Sequence, residues 1–383
     1  TAILWLGSLA INTVTGLDIG YALVLLAAFA TAYSLYGGLR AVAMTDIIQV
    51  VLLVLGGLFI AYISMNEISG GAGVIAGFQM VLEQAPEKFD LILSKDNPNY
   101  MSLPGISVLV GGMWIMNLSY WGFNQYIIQR ALAAKNNREA QKGIMFAAFL
   151  KMLMPVLVVL PGIAAVILTP DLESPDHAYP EMMKLLPTGL AGLVFAALIA
   201  AIVSSLASMM NSISTIFTMD IYLQFTKSTK TESQLVTVGR VTSLTAIIIA
   251  AIVARPLLGN FDQAFQYIQD FTGFFTPGVV VIFLMGIFWK KATALGAIGA
   301  ALGSFFISLG FYLYLPSMPF MDRVGIVFLA CLTIGVVVSI AQGQGEQAKA
   351  IDYESVDTST SNSFNLAAAV IAMLLIALYA TWW

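Results

Sequence analysis

Charged residues are scarce in this chain, and cysteine and histidine are almost absent. Of its 383 residues, 10% are charged, whereas a soluble domain carries about 25%. Hydrophobic residues make up 59%, so the composition predicts a membrane protein with several spanning helices. Cys331 is the single cysteine and His177 the single histidine. This excludes a disulfide within the chain and argues against a Cys/His metal site or a histidine-dependent catalytic triad, so an enzyme is not expected.

The chain also lacks a basic tract and a signal-peptide n-region. Its net charge is −4, which gives no indication of a nucleic-acid partner. It begins with Thr1 inside an apolar stretch rather than with Met. We therefore interpret it as one piece of a longer protein whose N-terminal part is missing.

Long hydrophobic runs make up most of the sequence. A spanning helix needs about 20 apolar residues, and the runs predict the end of one helix at 1–14 followed by ten spans. The spans lie near 19–37, 44–65, 104–122, 143–168, 186–222, 237–254, 263–289, 292–315, 323–342 and 363–383. We expect one transmembrane domain over 1–383, with a short surface helix in the loop 66–103 and a polar loop at 343–362. The span 186–222 is too long for one straight crossing.

Lysine and arginine are distributed unevenly between alternate loops. The set that begins with 38–43 holds eleven of them and the opposite set, which includes Arg323, holds five. Cytoplasmic loops are the ones enriched in these residues, so 38–43 and 123–142 are predicted in the cytoplasm and the C-terminus outside. The remaining cation, Lys151, lies inside a span, where a charge costs about 2.5–3.5 kcal/mol. It either faces the bundle interior or extends to the membrane surface.

Small and hydroxyl side chains recur at helical spacing in "AALIAAIVSSLASMMNSISTIFTMD", and they form one stripe on a helix. The stripe consists of Ala201, Ser204, Ser205, Ser208, Ser212 and Thr215. Such a stripe serves close helix packing or supplies oxygen ligands to a hard cation. A neutral set of hydroxyls and carbonyls suits a monovalent ion, and both interpretations stay open.

Two apolar spans carry polar groups next to glycine or proline. In "NLSYWGFNQY", Asn117 and Tyr120 lie in a span that also contains Gly111 and Gly112; in "FQYIQDFTGFFTPG", Gln269 precedes Gly273. Broken helices expose backbone groups for ligands in transporters, and amides beside aromatic rings suit a sugar. The alternatives are an interfacial aromatic belt and a polar helix start with a proline kink.

Asp46 lies where the span 44–65 begins. A carboxylate at that point is either an ordinary N-terminal helix residue favoured by the helix dipole or part of an ion path.

Several stretches together resemble the sodium/solute symporter family, and within it the bacterial sodium/galactose and sodium/glucose cotransporters. They are "YSLYGGLRAV", "TDIIQVVLLVLGG", "YWGFNQYIIQRALAAKN", "AAFLKMLMPVLVVLPGIAA", "VFAALIAAIVSSLASMMNS", "FTMDIY", "QAFQYIQDFTG" and "FWKK". The resemblance implies an all-α, leucine-transporter-type fold of two inverted five-helix repeats. Nothing matches the first two helices of the first repeat, so part of both ligand sites is expected to be missing.

The resemblance also implies roles for particular residues. The sugar contacts would be Asn117, Lys151 and Gln269, and the gate would be Tyr120 with its neighbour Trp121. The sodium ligands would be Ala201, Ser204 and Ser205, and the ion exit path would pass Asp46.

The function so implied is sodium-coupled symport of a galactose- or glucose-like sugar in a bacterial inner membrane. Sodium is then the coupling ion and no cofactor is expected. One alternative is symport of another neutral solute such as an amino acid, and another is a sensor module that does not transport. Lys151 is the one cation placed firmly in a span, so a neutral solute is favoured over an anion.

Overall fold

The computed structural model describes residues 1–226, 231–259, 263–343, 345–348, 350–353 and 356–383, except for the side chains of 36–42. Regular structure in these ranges is helical, apart from one isolated bridge between Leu93 and Pro104. The helices are α1 (Ala2–Thr15), α2 (Ile19–Ile68), α3 (Val74–Gln84), α4 (Gly105–Val110), α5 (Gly112–Leu118), α6 (Gln125–Leu132), α7 (Asn137–Met152), α8 (Leu160–Leu168), α9 (Ala178–Met183), α10 (Thr188–Thr215), α11 (Leu223–Phe225), α12 (Glu232–Leu258), α13 (Ala264–Thr272), α14 (Thr276–Phe288), α15 (Ala294–Tyr314), α16 (Phe320–Gln342) and α17 (Asn362–Thr381). The predicted all-α class is confirmed.

Three π-helical segments continue or connect these helices, at Ser119–Phe123, Pro155–Val159 and Ile216–Tyr222. Segments of this kind are rare and occur mostly as single turns, frequently at functional sites. The first of them contains Tyr120 and Trp121.

Eight helical segments among the described residues are long and apolar enough to cross a membrane, and the bent pair α13–α14 makes a ninth. The stretch Ile19–Leu35 is apolar but shorter, and the residues after it are those whose side chains are not described. The segment Thr188–Phe225 has 38 residues, which is about 57 Å of helix. It therefore exceeds the membrane thickness of about 30 Å, as its sequence predicts.

Helix α2 is not straight. The hydroxyls of Tyr33 and Thr45 form a hydrogen bond, although twelve residues of straight helix separate Cα atoms by about 18 Å. The stretches Ile19–Leu35 and Ala43–Ile68 therefore do not continue each other along one axis. This agrees with two predicted spans; the loop predicted at 38–43 falls on the part of α2 that is not described in full.

One compact unit comprises Thr1–Phe89 and Phe149–Phe265. We call it unit 1. Its core lies between α2, α3, α8, α9 and α10 and includes Ile60, Met65 and Met182. Helix α3 packs so closely on α2 that a Cβ on Gly77 would come within 1.9 Å of the Met65 carbonyl oxygen. The predicted short helix in 66–103 thus exists, but it packs against α2 and contributes Val81 to the core.

The second compact unit, unit 2, comprises Asp90–Ala148 and Gln266–Trp383. Its core lies between α5, α14, α15 and α16, with Val280, Val281 and Val327 fully buried. Helices α5 and α16 are in close contact, because a Cβ on Gly112 would lie 2.1 Å from the Met321 carbonyl oxygen. The predicted polar loop after α16 contains no long helix within its described residues until α17 begins at Asn362.

Candidate functional site

In unit 1, Asp46 and Ser204 meet although 158 residues separate them in the chain. The Ser204 hydroxyl on α10 donates a hydrogen bond to Oδ1 of Asp46 on α2. Ser204 is 2% exposed and Asp46 is half-buried. Such charge-assisted bonds are about twice as strong as neutral ones. Ser204, predicted as a sodium ligand, and Asp46, predicted on the ion exit path, are therefore in direct contact.

The rest of the hydroxyl stripe follows the same face of α10. Ser208 is fully buried and donates a 3.0 Å hydrogen bond to the Ser204 carbonyl. Ala201 and Ser205 are half-buried one turn or less from Ser204. The helix is continuous across the stripe, from Thr188 to Thr215, although hydroxyls that bond to the carbonyl four residues earlier often bend a helix. This face can offer oxygen atoms to a cation next to a carboxylate.

Lys151 also belongs to unit 1 and lies in the last turn of α7. It is fourteen residues from the start of the span Asn137–Leu168, or about 21 Å along the helix. Its side chain is exposed in this chain and has an electrostatic or hydrogen-bonding interaction.

In unit 2, Asn117 lies on a helix that is broken, as the glycines predict. Helix α4 ends at Val110 and α5 begins at Gly112, with Gly111 at φ −129° and ψ −96° between them. The Asn117 amide nitrogen donates a 2.9 Å hydrogen bond to the Met113 carbonyl, and the residue is exposed. The amide oxygen is a hydrogen-bond acceptor that suits a ligand hydroxyl.

The predicted gate residues form an aromatic cluster in the π-helical segment. The ring of Tyr120 lies 5.2 Å from that of Trp121 and 6.1 Å from that of Tyr126, edge to face in both cases. Tyr126 donates a 2.8 Å hydrogen bond to the Tyr120 hydroxyl. Burial, and then this hydrogen bond, raise the pKa of Tyr126, so it remains a protonated donor at neutral pH. Phe123 stacks on Phe283 of α14 at 4.5 Å, which connects the cluster to the core of unit 2.

Gln269 is half-buried on α13, also in unit 2. Helices α13 and α14 bend by 46° at a short break, at the position that Gly273 and Pro277 predict. The Gln269 carbonyl accepts from the Gly273 amide and the Thr272 hydroxyl, each at 3.0 Å. Asn117 and Gln269 thus lie in unit 2 and Lys151 in unit 1, and the prediction that all three contact one sugar stays a prediction.

One functional candidate escaped the sequence analysis. Arg323, assigned there to a loop, is 4% exposed in the first turn of α16 and forms an ion pair with Asp270, next to Gln269. The expectation that Lys151 is the only firmly placed cation in a span was therefore wrong. The signal that could have revealed it is the pair of opposite charges near the ends of two apolar helices. Because Arg323 is paired, it gives no reason to favour an anionic solute.

A family model described as the sodium:solute symporter family matches residues 1–303. The chain is 47% identical over 402 residues to the sodium/glucose cotransporter of Vibrio parahaemolyticus, an alignment that covers 100% of this chain and 74% of that protein. It is 35% identical over 323 residues to the sodium/myo-inositol cotransporter 2 of Rattus norvegicus, covering 77% of this chain and 47% of that protein. The chain thus spans about three quarters of the first relative and about half of the second.

A solved structure shares the fold. It is described as a substrate-bound, outward-open state of a Na+-coupled sialic acid symporter with a novel Na+ site. The TM-score is 0.72 at 23% identity, over 89% of this chain and 71% of that chain. Together with the helical spans, these matches identify a multi-pass membrane protein of the leucine-transporter-type fold, and the chain belongs to the sodium:solute symporter family.

Proposed function

We propose that the full-length protein carries out sodium-coupled symport of a glucose- or galactose-like sugar. The observation that carries the proposal is the contact between Asp46 and Ser204. It puts a carboxylate against the buried hydroxyl stripe of α10, a chemistry suited to a hard monovalent cation. The identity of 47% with the Vibrio sodium/glucose cotransporter supports both the ion and the solute.

The proposed sodium ligands are Ala201, Ser204 and Ser205, with Asp46 on the exit path. The Ser204 oxygen would coordinate bound sodium while its hydroxyl still donates the hydrogen bond to Asp46, because a hydroxyl has lone pairs in addition to its proton. The carboxylate would lower the electrostatic cost of holding the ion between hydroxyls.

The proposed sugar contacts are Asn117, Lys151 and Gln269, with Tyr120 and Trp121 as the gate. Two amides and an ammonium supply donors and acceptors for hydroxyl groups. The aromatic cluster offers a flat apolar surface for the C–H faces of a pyranose. Both amides stand beside a helix break, which favours a ligand-binding region of the transporter kind.

The experiment is uptake of radiolabelled solute into proteoliposomes that contain the full-length protein. An inward sodium gradient is expected to drive accumulation of glucose or galactose, and an equal potassium gradient is not. The panel also includes myo-inositol, because a myo-inositol cotransporter is 35% identical to this chain, and proline as an amino acid. Sodium-driven uptake of proline without sugar uptake would favour the alternative, and a lack of sodium-driven uptake of any of them would refute symport.

We also propose that the protein resides in a bacterial inner membrane, as a single transmembrane domain with its C-terminus outside. The excess of lysine and arginine in alternate loops supports this orientation. A C-terminal alkaline phosphatase fusion is expected to be active in cells, and a C-terminal green fluorescent protein fusion dark. The opposite pattern would reverse the orientation.

A further inference from the structure

Arg323 is a charged residue that is buried at the start of an apolar helix. Its side chain lies in the first turn of α16, is 5% exposed, and forms an ion pair with Asp270 of α13. Charged residues in membrane spans are costly, and they tend to be paired and functional. Within the part of unit 2 that the structure describes, this pair joins the helix that carries Gln269 to a neighbouring span.

Aromatic rings complete the surroundings of the guanidinium. Its central carbon lies 4.9 Å from the ring of Phe274 and 5.8 Å from the ring of Tyr312. Both distances suit a cation–π interaction. Phe274 belongs to the break between α13 and α14, and Tyr312 belongs to α15. Arg323 therefore contacts both α13 and the break that ends it.

The break is held from its other side as well. Ser304 of α15 donates a 2.8 Å hydrogen bond to the Phe274 carbonyl and accepts a 3.1 Å bond from the Gly278 amide. These bonds fix the start of α14 but do not reach α13. With nine residues, α13 is shorter than the roughly 12–15 residues at which an isolated helix becomes even marginally stable. Its orientation must come from contacts such as the one with Arg323.

Stability alone is a poor explanation for this pair. The Arg323 side chain is buried while that of Asp270 is 34% exposed, and an ion pair with a buried member often contributes little net stability, because the desolvation of the charge offsets the attraction. The Nε–H of Arg323 is also buried without a hydrogen-bond partner among the described residues, which is unfavourable. The Arg323–Asp270 pair is therefore better explained by the orientation that it gives to α13 than by a gain in stability.

We propose that Arg323 is a positioning residue for Gln269: through Asp270 and Phe274 it sets the orientation of α13 and hence the affinity for sugar. This inference rests on the proposed function, in which Gln269 contacts the sugar. Arg323 itself does not touch the sugar in this account. Its loss is therefore expected to weaken sugar binding without changing the response to sodium.

The test compares Arg323→Gln, Arg323→Lys, Asp270→Asn and the Arg323→Gln/Asp270→Asn double variant in the full-length protein. Lys290→Gln is the matched control, because Lys290 and Asp352 form an ion pair in unit 2 that is largely exposed, at 3.0 Å. The measurements are sodium-driven sugar uptake against sugar concentration, uptake against sodium concentration, and equilibrium sugar binding at saturating sodium.

Arg323→Gln and Asp270→Asn are each expected to raise the sugar KM at least about tenfold, or 1.4 kcal/mol. Vmax and the sodium half-saturation should change little, since neither residue lies on the proposed sodium path. Arg323→Lys keeps the charge and should recover part of the affinity. The double variant should be no worse than either single one, because both remove the same contact. Lys290→Gln should behave as the parent protein does.

A native sugar KM in Arg323→Gln, or additive losses in the double variant, would overturn the inference. If Arg323→Gln is not recovered folded, Asp270→Asn and Arg323→Lys decide, and native sugar KM values in both would overturn it.

A second readout does not depend on transport. A cysteine placed at Gln269, on a cysteine-free background, is labelled with a maleimide with and without Arg323→Gln. The labelling rate is expected to change, and an unchanged rate would overturn the inference even if the parent protein transported no sugar. Absent uptake in the parent with a changed labelling rate would instead refute the proposed function alone.

Discussion

The polar helix of unit 1 is continuous, whereas the polar helices of unit 2 are broken. Along α10 the hydroxyl stripe follows regular helical spacing, and Ser208 bonds to the carbonyl four residues earlier. In unit 2 the helix with Asn117 breaks at Gly111 and the helix with Gln269 breaks after Thr272. Polar groups at a break also bring unpaired backbone groups, and these need partners from elsewhere.

The neighbours supply those partners in unit 2. The Phe274 carbonyl accepts a hydrogen bond from the Ser304 hydroxyl. The Trp114 indole donates a 2.6 Å hydrogen bond to the Leu109 carbonyl, next to the break at Gly111. In unit 1 the decisive partner of the stripe is one carboxylate, Asp46. The proposed cation site therefore consists of side chains on an intact helix. The amides proposed to contact the sugar are instead carried by short helices, whose orientation depends on contacts with other helices.

Among the variants that do not remove an aromatic ring, the largest effect is expected at Asp46. Asp46→Asn keeps an oxygen that can accept from Ser204 but removes the charge, so it separates the contact from the electrostatics. Sodium-driven uptake at low sodium is expected to fall about hundredfold, or 2.8 kcal/mol. Asp171→Asn, an exposed carboxylate in a turn of the same unit, serves as the control. Equal uptake in the two variants would show that the charge of Asp46 plays no part.

On the unit 2 side, Asn117→Ala removes an amide from the proposed sugar site. A ligand hydroxyl left unpaired costs about 1–3 kcal/mol, which is about a 5- to 150-fold loss of affinity. Equilibrium sugar binding at saturating sodium measures it. Unchanged sugar affinity would show that Asn117 does not contact the sugar and would favour the alternative of an interfacial belt.

The packing of the broken helix is tested by Gly112→Ala. The added Cβ would lie 2.1 Å from the Met321 carbonyl oxygen, and two backbones cannot separate without disturbing α5 and α16. Such overpacking costs about 1–3 kcal/mol, so the unfolding temperature of the purified protein should fall. Gly162→Ala on α8 has no atom within 4 Å of its Cβ and should not destabilise the protein. Equal unfolding temperatures of the two variants would contradict the close contact.

The smallest effect is expected from the Tyr120–Tyr126 hydrogen bond. Tyr126→Phe and Tyr120→Phe each remove it but keep both rings, so each should reduce sugar accumulation by less than about tenfold, the loss of one hydrogen bond of about 0.5–1.5 kcal/mol. Tyr120→Ala removes the ring and should abolish coupled accumulation. If Tyr120→Phe is as damaging as Tyr120→Ala, the gate depends on the Tyr120 hydroxyl and not on stacking of its ring.

Much of the architecture could be predicted because its signals are local. Hydrophobic runs indicate the spans, and Gly111, Gly273 and Pro277 indicate the helix breaks. The spacing of Ser204 and Ser208 indicates one helical face. Each of these signals lies within a few turns of the feature it describes.

The partners could not be predicted by the same means. Nothing near Ser204 indicates that its acceptor is Asp46, and Arg323 was assigned to a loop because it lies at the edge of an apolar run. Tyr126 ends the stretch "NLSYWGFNQY", but its hydrogen bond to Tyr120 depends on the π-helical turn between them. Contacts between residues far apart in sequence follow from tertiary packing, which the periodicity of hydrophobic residues does not predict.

The central proposal is that sodium binds on the intact helix α10, whereas Asn117, on a broken helix, serves only the sugar. Sodium binding measured in the absence of sugar is its most direct test. Purified full-length protein and its Ser204→Ala and Asn117→Ala variants are compared by equilibrium dialysis with radiolabelled sodium. We expect parent-like sodium affinity in Asn117→Ala and clearly weaker sodium affinity in Ser204→Ala. Parent-like sodium affinity in Ser204→Ala would contradict the proposal.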